Sequence, residues 1–442
     1  MNLEEDKKNL KEQILALSSI YTKKRLSKKF IKGETFIPAS GATLQEEEVN
    51  NVIDAALNGW ATEAEYSKKF SRGLRDFMGS RFCVLCNSGS SATLLAVSAT
   101  TQKEFKDRAA KEGDEFITVA VGFPTTISGL VQNRITPVFV DINPQSLTPD
   151  VDMIEQAIVE GKTKGIIIAH ALGSPYNVDA IRDMCDEYGL WMIEDCADAL
   201  GSRYNGKLVG TQGTMSTLSF FPAHHITTGQ GGAVFTNSGH VKKVLDSLRA
   251  WGRGCWCLPG KDNTCGKRFD WCIGKDIEYD HKYVFDRIGY NLQITDLQSA
   301  IGLAQLDKIK KFEAIRKRNW QRLKEALSEY KKFFIMPQAI PHADPSWFGF
   351  HLTVKGTAPF TRREITEYLE SKKIGTRLLF GGNLLQQPAF QHIPHKVFGT
   401  LEDSDLITRG TFWIGIHQGI DSQRLEYIIS TFHDFMRSHA RL

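Results

Sequence analysis

The sequence contains no run of 18 apolar residues, and so no segment able to cross a bilayer as a helix. Its first 30 residues carry charges throughout and lack the apolar core of a secretory signal, so a soluble, cytoplasmic protein is expected. Basic blocks are missing too: 55 Lys and Arg against 51 Asp and Glu leave a net charge of +4, spread without a patch. That removes the electrostatic case for a nucleic-acid partner, and the hydropathy removes the case for a membrane one. Only eight cysteines occur in 442 residues, too few for a disulfide framework, and a reducing compartment would keep them as thiols. Four of the eight nevertheless fall between Cys255 and Cys272, a clustering that needs a reason.

The composition that is present, 41% hydrophobic and 24% charged, is that of an ordinary globular chain. Residues 2–30 place apolar residues at helical spacing among charges, which predicts a surface helix or a dimer-wrapping arm over 1–36. A helical pattern follows from Gln45 to Phe77, interrupted at Gly59-Trp60. Short apolar runs then alternate with helix patterns: Phe82–Cys86, Glu115–Ala120, Pro137–Asp141, Gly165–Ala169, Trp191–Glu194, Thr217–Phe221 and Ala233–Phe235. This rhythm predicts an α/β domain over 37–300, with a mostly parallel sheet buried on both faces. Residues 252–290, rich in Gly, Cys, Lys and Asp, break it and read as a long functional insertion. Leu297–Leu327 predicts one long helix, and 301–442 completes a smaller α+β domain with a strand at Phe348–Val354 and helices at Arg362–Lys372 and Ser422–Arg437.

Three segments at predicted strand ends form one argument. Asn87-Ser88-Gly89-Ser90-Ser91 opens a helix after Phe82–Cys86, and Gly and Ser at a helix N-terminus offer amides, hydroxyls and a favourable dipole to a phosphate. Asp195 follows Trp191–Glu194, at the end of a central strand where ligands of α/β sheets bind. An Asp there can keep a pyridinium nitrogen protonated and the ring an electron sink; a helix N-cap is the plainer role. The third segment runs Ser219-Phe220-Phe221-Pro222-Ala223-His224-His225-Ile226-Thr227-Thr228-Gly229-Gln230-Gly231-Gly232.

Those residues resemble the sugar aminotransferases and dehydratases that use pyridoxal phosphate, the DegT/DnrJ/StrS type, on the aspartate aminotransferase (type I) fold. The family pattern is Ser-Phe, three residues, a Schiff-base Lys, then Thr-Gly-Glu-Gly-Gly. The resemblance continues through Gly122-Phe123-Pro124-Thr125-Thr126, Pro137-Val138-Phe139-Val140-Asp141 and Gly289-Tyr290-Asn291-Leu292-Gln293-Ile294-Thr295-Asp296. The Lys position falls on His224, and no Lys lies between Lys207 and Lys242. A His there is similar to the dehydratase branch, which acts on nucleotide-linked 4-keto sugars. Imidazole cannot tether the cofactor aldehyde, so the resemblance implies pyridoxamine 5′-phosphate bound without a covalent link, with His224 as the base for its C4′ proton. It further implies Phe123 stacked on the cofactor ring, Gly89, Ser90 and Ser219 on the phosphate, and Asn291 reaching the phosphate of a neighbouring subunit in a homodimer. Arg377 in Thr376-Arg377-Leu378-Leu379-Phe380-Gly381-Gly382-Asn383 matches the sugar-nucleotide lining and suits a diphosphate. Phe221 and Gln230 depart from the family's Tyr and Glu.

The spacing Cys255-x-Cys257-x7-Cys265, with Gly254, Pro259 and Gly260 to turn the backbone, suits thiolates converging on metal. Here the chain resembles the iron–sulfur branch of the family, dehydrases of 3,6-dideoxyhexose synthesis acting on CDP-4-keto-6-deoxyglucose. That resemblance implies a [2Fe–2S] cluster on Cys255, Cys257, Cys265 and the upstream Cys196, fed by an NAD(P)H-dependent iron–sulfur flavoprotein reductase. Cys272 is the competing fourth ligand, and a structural zinc suits the same loop. Cys83 and Cys86 lie on a predicted strand where residues i and i+3 face opposite ways, so buried thiols describe them, and Cys185, better. Two rivals remain: a sugar aminotransferase, which the missing Lys opposes, and a non-catalytic cofactor-binding regulator on the same fold.

Overall fold

The computed structural model describes residues 3–27, 29–257, 261 and 263–439; Pro259 and Gly260 lie outside the described residues. The alternation of apolar runs and helices builds a sheet whose strands follow the order Phe82–Cys86, Gly232–Thr236, Met215–Ser219, Trp191–Asp195, Thr163–Ala169, Glu115–Val119, Thr136–Val140 and Lys396–Val397. All neighbours are parallel except Gly232–Thr236, which runs against both strands beside it. Side-chain alternation buries both faces. Ile167, Trp191 and Ile193 pack with Leu95, Ala96 and Ala99 of the helix Gly89–Thr100, while Ile166, Ile168 and Met192 join a second cluster with Phe70, Val178 and Ile181. At about 25 cal/mol per Å² of apolar surface, such burial on two faces dominates the folding energy of the layer.

A second core lies around the strands Phe334–Ile335, Gly349–Val354, Thr411–Gly415 and Thr376–Leu378, with Trp320 stacked on Trp347 at 4.3 Å. Ile37 bridges Ile374 and packs into this core, so the chain touches the second core before it enters the sheet. The single helix expected over Leu297–Leu327 is two, Asp296–Leu306 and Ile309–Leu327, parted at Asp307-Lys308. Apolar periodicity continues across that break, which is why the sequence pattern hides it. Lys308 turns its ammonium back to the carboxylates of Glu47 (2.9 Å) and Glu48 (2.6 Å), tying the junction to the helix Glu46–Leu57. No helix of the described residues is long and apolar enough to cross a membrane.

Three buried histidines make the fold acid-sensitive. Burial pushes His351 and His417 down to about 4, and His225 well below its ordinary 6.5. The folded state therefore keeps them neutral where the unfolded chain binds protons. For His351 and His417 the contribution is complete above about pH 6.5 and is lost as pH falls toward about 4, at about 1.4 kcal/mol per pH unit each, and His225 acts in the same direction. The urea midpoint should fall steeply across that window. A midpoint unchanged down to pH 5 would contradict the neutral assignment.

Candidate active site

Register brings the functional strand ends to one edge of the sheet. Cys86 pairs with Gly232, Gly232 with Ser219, and Thr217 with Asp195. The edge thus gathers the carboxyl ends of the parallel strands and the start of the antiparallel one, where α/β sheets hold ligands.

Asp195 is almost fully buried. Thr126 Oγ1 donates to its Oδ2 at 2.8 Å, and the Ala197 N–H donates to Oδ1 at 3.1 Å. Burial pushes its carboxyl above the ordinary range, against the pull of these donors. Among the described residues no Lys or Arg forms an ion pair with it, so a buried carboxylate stands in want of a cation. A pyridinium nitrogen supplies one, and the residues present fit pyridoxamine or pyridoxal phosphate on that ground.

Ser219 and Gly89 approach so closely that a Cβ on Gly89 would lie 2.3 Å from Ser219 Cβ. Only glycine allows the helix start and the strand end to meet there. Ser88 caps the helix by accepting the Ser91 N–H at 3.0 Å, which leaves the Gly89 and Ser90 amides as first-turn donors without intrahelical partners. Phosphate recognition at such an end needs no basic side chain. Asn87 N–H donates to Leu292 O at 2.9 Å and fastens the Asn291 segment beside this cradle, with Asn291 itself exposed.

His224 follows the turn closed by its N–H on Phe221 O, 3.0 Å away. Its Nδ1 lies 3.3 Å from Asp198 Oδ1, with both side chains largely buried. The neighbouring His225 faces the other way. Its Nε2–H donates to Ser346 O at 2.7 Å, and burial, helped by the positive charge of Arg316, keeps the ring neutral. Arg316 is fully buried, donates to Phe348 O (3.1 Å) and Gln418 Oε1 (3.2 Å), and is pushed down to about 9 by burial. Arg316 and His225 together hold the 346–348 segment, whose Phe348 ring lies 5.5 Å from the His224 ring.

Phe123 is 55% exposed, edge-on to Phe380 at 6.2 Å, and three residues before Thr126, the Asp195 donor. The Gly381 N–H donates to Gly122 O at 3.1 Å, which ties the segment after Arg377 to the Phe123 loop. Arg377 is exposed on the strand Thr376–Leu378, its guanidinium folded onto Thr376 O at 2.7 Å. Thr126, Asp198 and Arg316 were missed in the sequence. Asp198 alone had a signal, its place one turn beyond Asp195.

The thiols of Cys255, Cys257 and Cys265 converge with the imidazole of His281, their ligand atoms all within 4.8 Å of one another. Cys196 does not join them. It forms a separate buried group with His170 and Glu194, and burial, reinforced by the Glu194 and Asp195 charges, keeps its thiol well above the ordinary range. The Glu194 carboxylate is already filled by the amides of Gly210 (2.7 Å), Gln212 (3.1 Å) and Gly213 (2.7 Å) and by His170 Nε2, so that group is structural. Cys272, the other candidate, is exposed on the hairpin strand Trp271–Ile273, outside the group. All eight cysteines are free thiols; burial pushes Cys83, Cys86 and Cys185 each up to about 12, as inert core thiols require.

A sheet-edge cradle for phosphate, with a buried carboxylate for a pyridine nitrogen, defines a vitamin B6-binding protein of the type I fold. The chain belongs to the DegT/DnrJ/EryC1/StrS aminotransferase family, whose model matches residues 42–433. It is 47% identical over 429 residues to the lipopolysaccharide biosynthesis protein RfbH of Salmonella typhimurium, covering 97% of this chain and 98% of that one. It is 45% identical to the dTDP-4-dehydro-2,6-dideoxy-D-glucose 3-dehydratase of Saccharopolyspora spinosa, covering 96% of this chain and 92% of the other. The E. coli GDP-4-keto-6-deoxy-D-mannose-3-dehydratase with bound hydrated PLP superposes with a TM-score of 0.79 at 26% identity, covering 90% of this chain and 99% of that one.

Proposed function

We propose that the protein is a pyridoxamine 5′-phosphate and [2Fe–2S] dependent 3-dehydrase of a nucleotide-linked 4-keto-6-deoxyhexose, with CDP-4-keto-6-deoxyglucose as the favoured substrate. One observation carries the reading: the position of the family's tethering lysine holds His224, beside Asp198, and no lysine lies from 208 to 241. Two relatives named as sugar 3-dehydratases, at 45% and 32% identity, support the reaction class.

The bound amine form would supply a primary amine for a ketone and a ring able to accept the electron pair left by its C4′ proton. Asp195 would hold the ring nitrogen protonated. Gly89, Ser90 and Ser219 would hold the phosphate, and Phe123 would cover the ring. Asp198, with Oδ1 3.3 Å from Nδ1, would favour the tautomer with the proton on Nδ1 and leave Nε2 of His224 as the base. The imidazolium so formed is the acid at hand when the C3 hydroxyl departs. Arg377 would turn from Thr376 O to the diphosphate, and Asn291 would complete the phosphate site of a partner subunit. The loop thiols would hold the cluster that receives electrons from an NAD(P)H-dependent flavoprotein reductase. Three soft thiolates and an imidazole are donors of the kind iron–sulfur centres take, so the residues present fit that group.

The test is isotope exchange in deuterated buffer with pyridoxamine phosphate and CDP-4-keto-6-deoxyglucose, without reductase. Deuterium should enter C4′ only when substrate is present, and glutamate should yield no amino sugar. Transfer of an amino group from glutamate to the sugar would make the protein an aminotransferase and overturn the reading.

A further inference from the structure

We infer that His281 is the fourth ligand of the metal centre in the 252–290 insertion, which makes the donor set Cys255, Cys257, Cys265 and His281. The inference deepens the proposed function and rests on it only for the identity of the metal. The sulfurs of Cys255 and Cys265 lie 3.0 and 3.1 Å from His281 Nδ1, although His281 stands 16 positions beyond the nearer of them in sequence.

Two further features mark a built site. The sulfurs already act as acceptors: the Cys257 N–H donates to Cys255 Sγ and the Cys265 N–H to Cys257 Sγ, each at 3.3 Å. Such N–H···S bonds support the negative charge a thiolate carries on a metal. His281 is fully buried in an insertion where Trp256, Phe269, Tyr279, Tyr283 and Phe285 are exposed, and its surroundings place it. Its backbone N–H donates to Arg268 O at 2.9 Å, Trp271 packs against the ring at 6.5 Å, and Asp280 Oδ1 lies 3.9 Å from Nε2. An imidazole held with Nδ1 toward three thiols has the pattern of a ligating histidine, with the Asp280 carboxylate on the Nε2 side beyond hydrogen-bond distance. Cys196, by contrast, is enclosed with a carboxylate already saturated by amides.

Histidine in place of a fourth thiolate withdraws negative charge from an iron–sulfur centre and raises its reduction potential. The choice of fourth ligand therefore decides the potential at which the insertion accepts electrons.

The experiment reads metal and spectrum, not turnover. Wild-type protein and the His281→Ala, His281→Cys, Cys196→Ala and Cys272→Ala variants are reconstituted anaerobically with iron and sulfide, and each is analysed for iron, sulfide and zinc. Folding is checked by circular dichroism and pyridoxamine phosphate binding. His281→Ala should lose most of its iron and sulfide. His281→Cys should keep both, with a lower midpoint potential and without the nitrogen hyperfine coupling that the reduced wild type shows by pulsed electron paramagnetic resonance. Cys196→Ala and Cys272→Ala should keep the metal. Full metal in His281→Ala, or its loss in a folded Cys196→Ala protein, overturns the assignment and leaves the iron–sulfur reading standing. Zinc in place of iron and sulfide, lost on His281→Ala, overturns the iron–sulfur reading and leaves the assignment standing. A wild type that takes up neither metal overturns both.

Discussion

Replacement of His224 by Asn should lower substrate-dependent C4′ proton exchange by roughly 10²–10⁴-fold, the range for removal of a general base. Binding of pyridoxamine phosphate should persist, because the Asp195 carboxylate, the Gly89 and Ser90 amides and the Ser219 hydroxyl belong to other segments. Asn keeps the approximate size and polarity of the side chain, so the turn closed on Phe221 O and the packing near Phe348 should hold. His225 is not a substitute base. Its Nε2–H is committed to Ser346 O and its ring is buried, so a proton placed there would carry a charge with no exit. Exchange close to wild type in His224→Asn, with cofactor affinity unchanged, would reject His224 as the base.

Cys255→Ser should divide the chemistry. A hydroxyl that stays protonated is a poor exchange for a thiolate, so the variant should lose its iron and sulfide. Exchange at C4′ should continue near the wild-type rate, since it needs only the cofactor amine, Asp195 and the base. Formation of the 3-deoxy product with reductase and NAD(P)H should fall to background. Paired assays on one preparation, exchange and reductase-coupled product, give the readout. Full reductase-coupled turnover in Cys255→Ser would mean that the metal does not carry the electrons.

The strand pattern was legible because burial on both faces writes continuous apolar runs, and Phe82–Cys86 was placed residue for residue. Met215–Ser219 was read two residues late, since Phe220 and Phe221 extend the apolar run past the point where the chain turns toward His224. The break at Asp307-Lys308 was hidden by periodicity that does not change there. The two-residue strand Arg203–Tyr204, which pairs with Lys207–Leu208 on one side and Ala343–Asp344 on the other, and its neighbours are too short to carry any period. Within the site, Asp195, Ser219 and Gly89 were legible as residues at strand ends. Thr126 and Arg316 were not, because each acts across a sequence distance that only folding closes. The same holds at the metal group: cysteines announce themselves by spacing, whereas His281 is one histidine among 12 and carries no spacing signal of its own.

The insertion enters and leaves the domain through a neck. A Cβ on Gly252 would lie 1.9 Å from Arg287 O, and one on Gly289 would lie 2.3 Å from Gly252 N, so the outgoing and returning chains touch backbone to backbone. A loop closed at such a neck imposes its length on nothing else. Its closure entropy grows only with the logarithm of its length, and the sheet pairs the same residues whether the loop holds five residues or forty. Evolution can therefore fit or remove the cysteine-bearing insertion at this point as a single event, leaving the residues at the sheet edge untouched. A nucleotide-sugar enzyme that eliminates water and one that also reduces can differ by what hangs from two glycines.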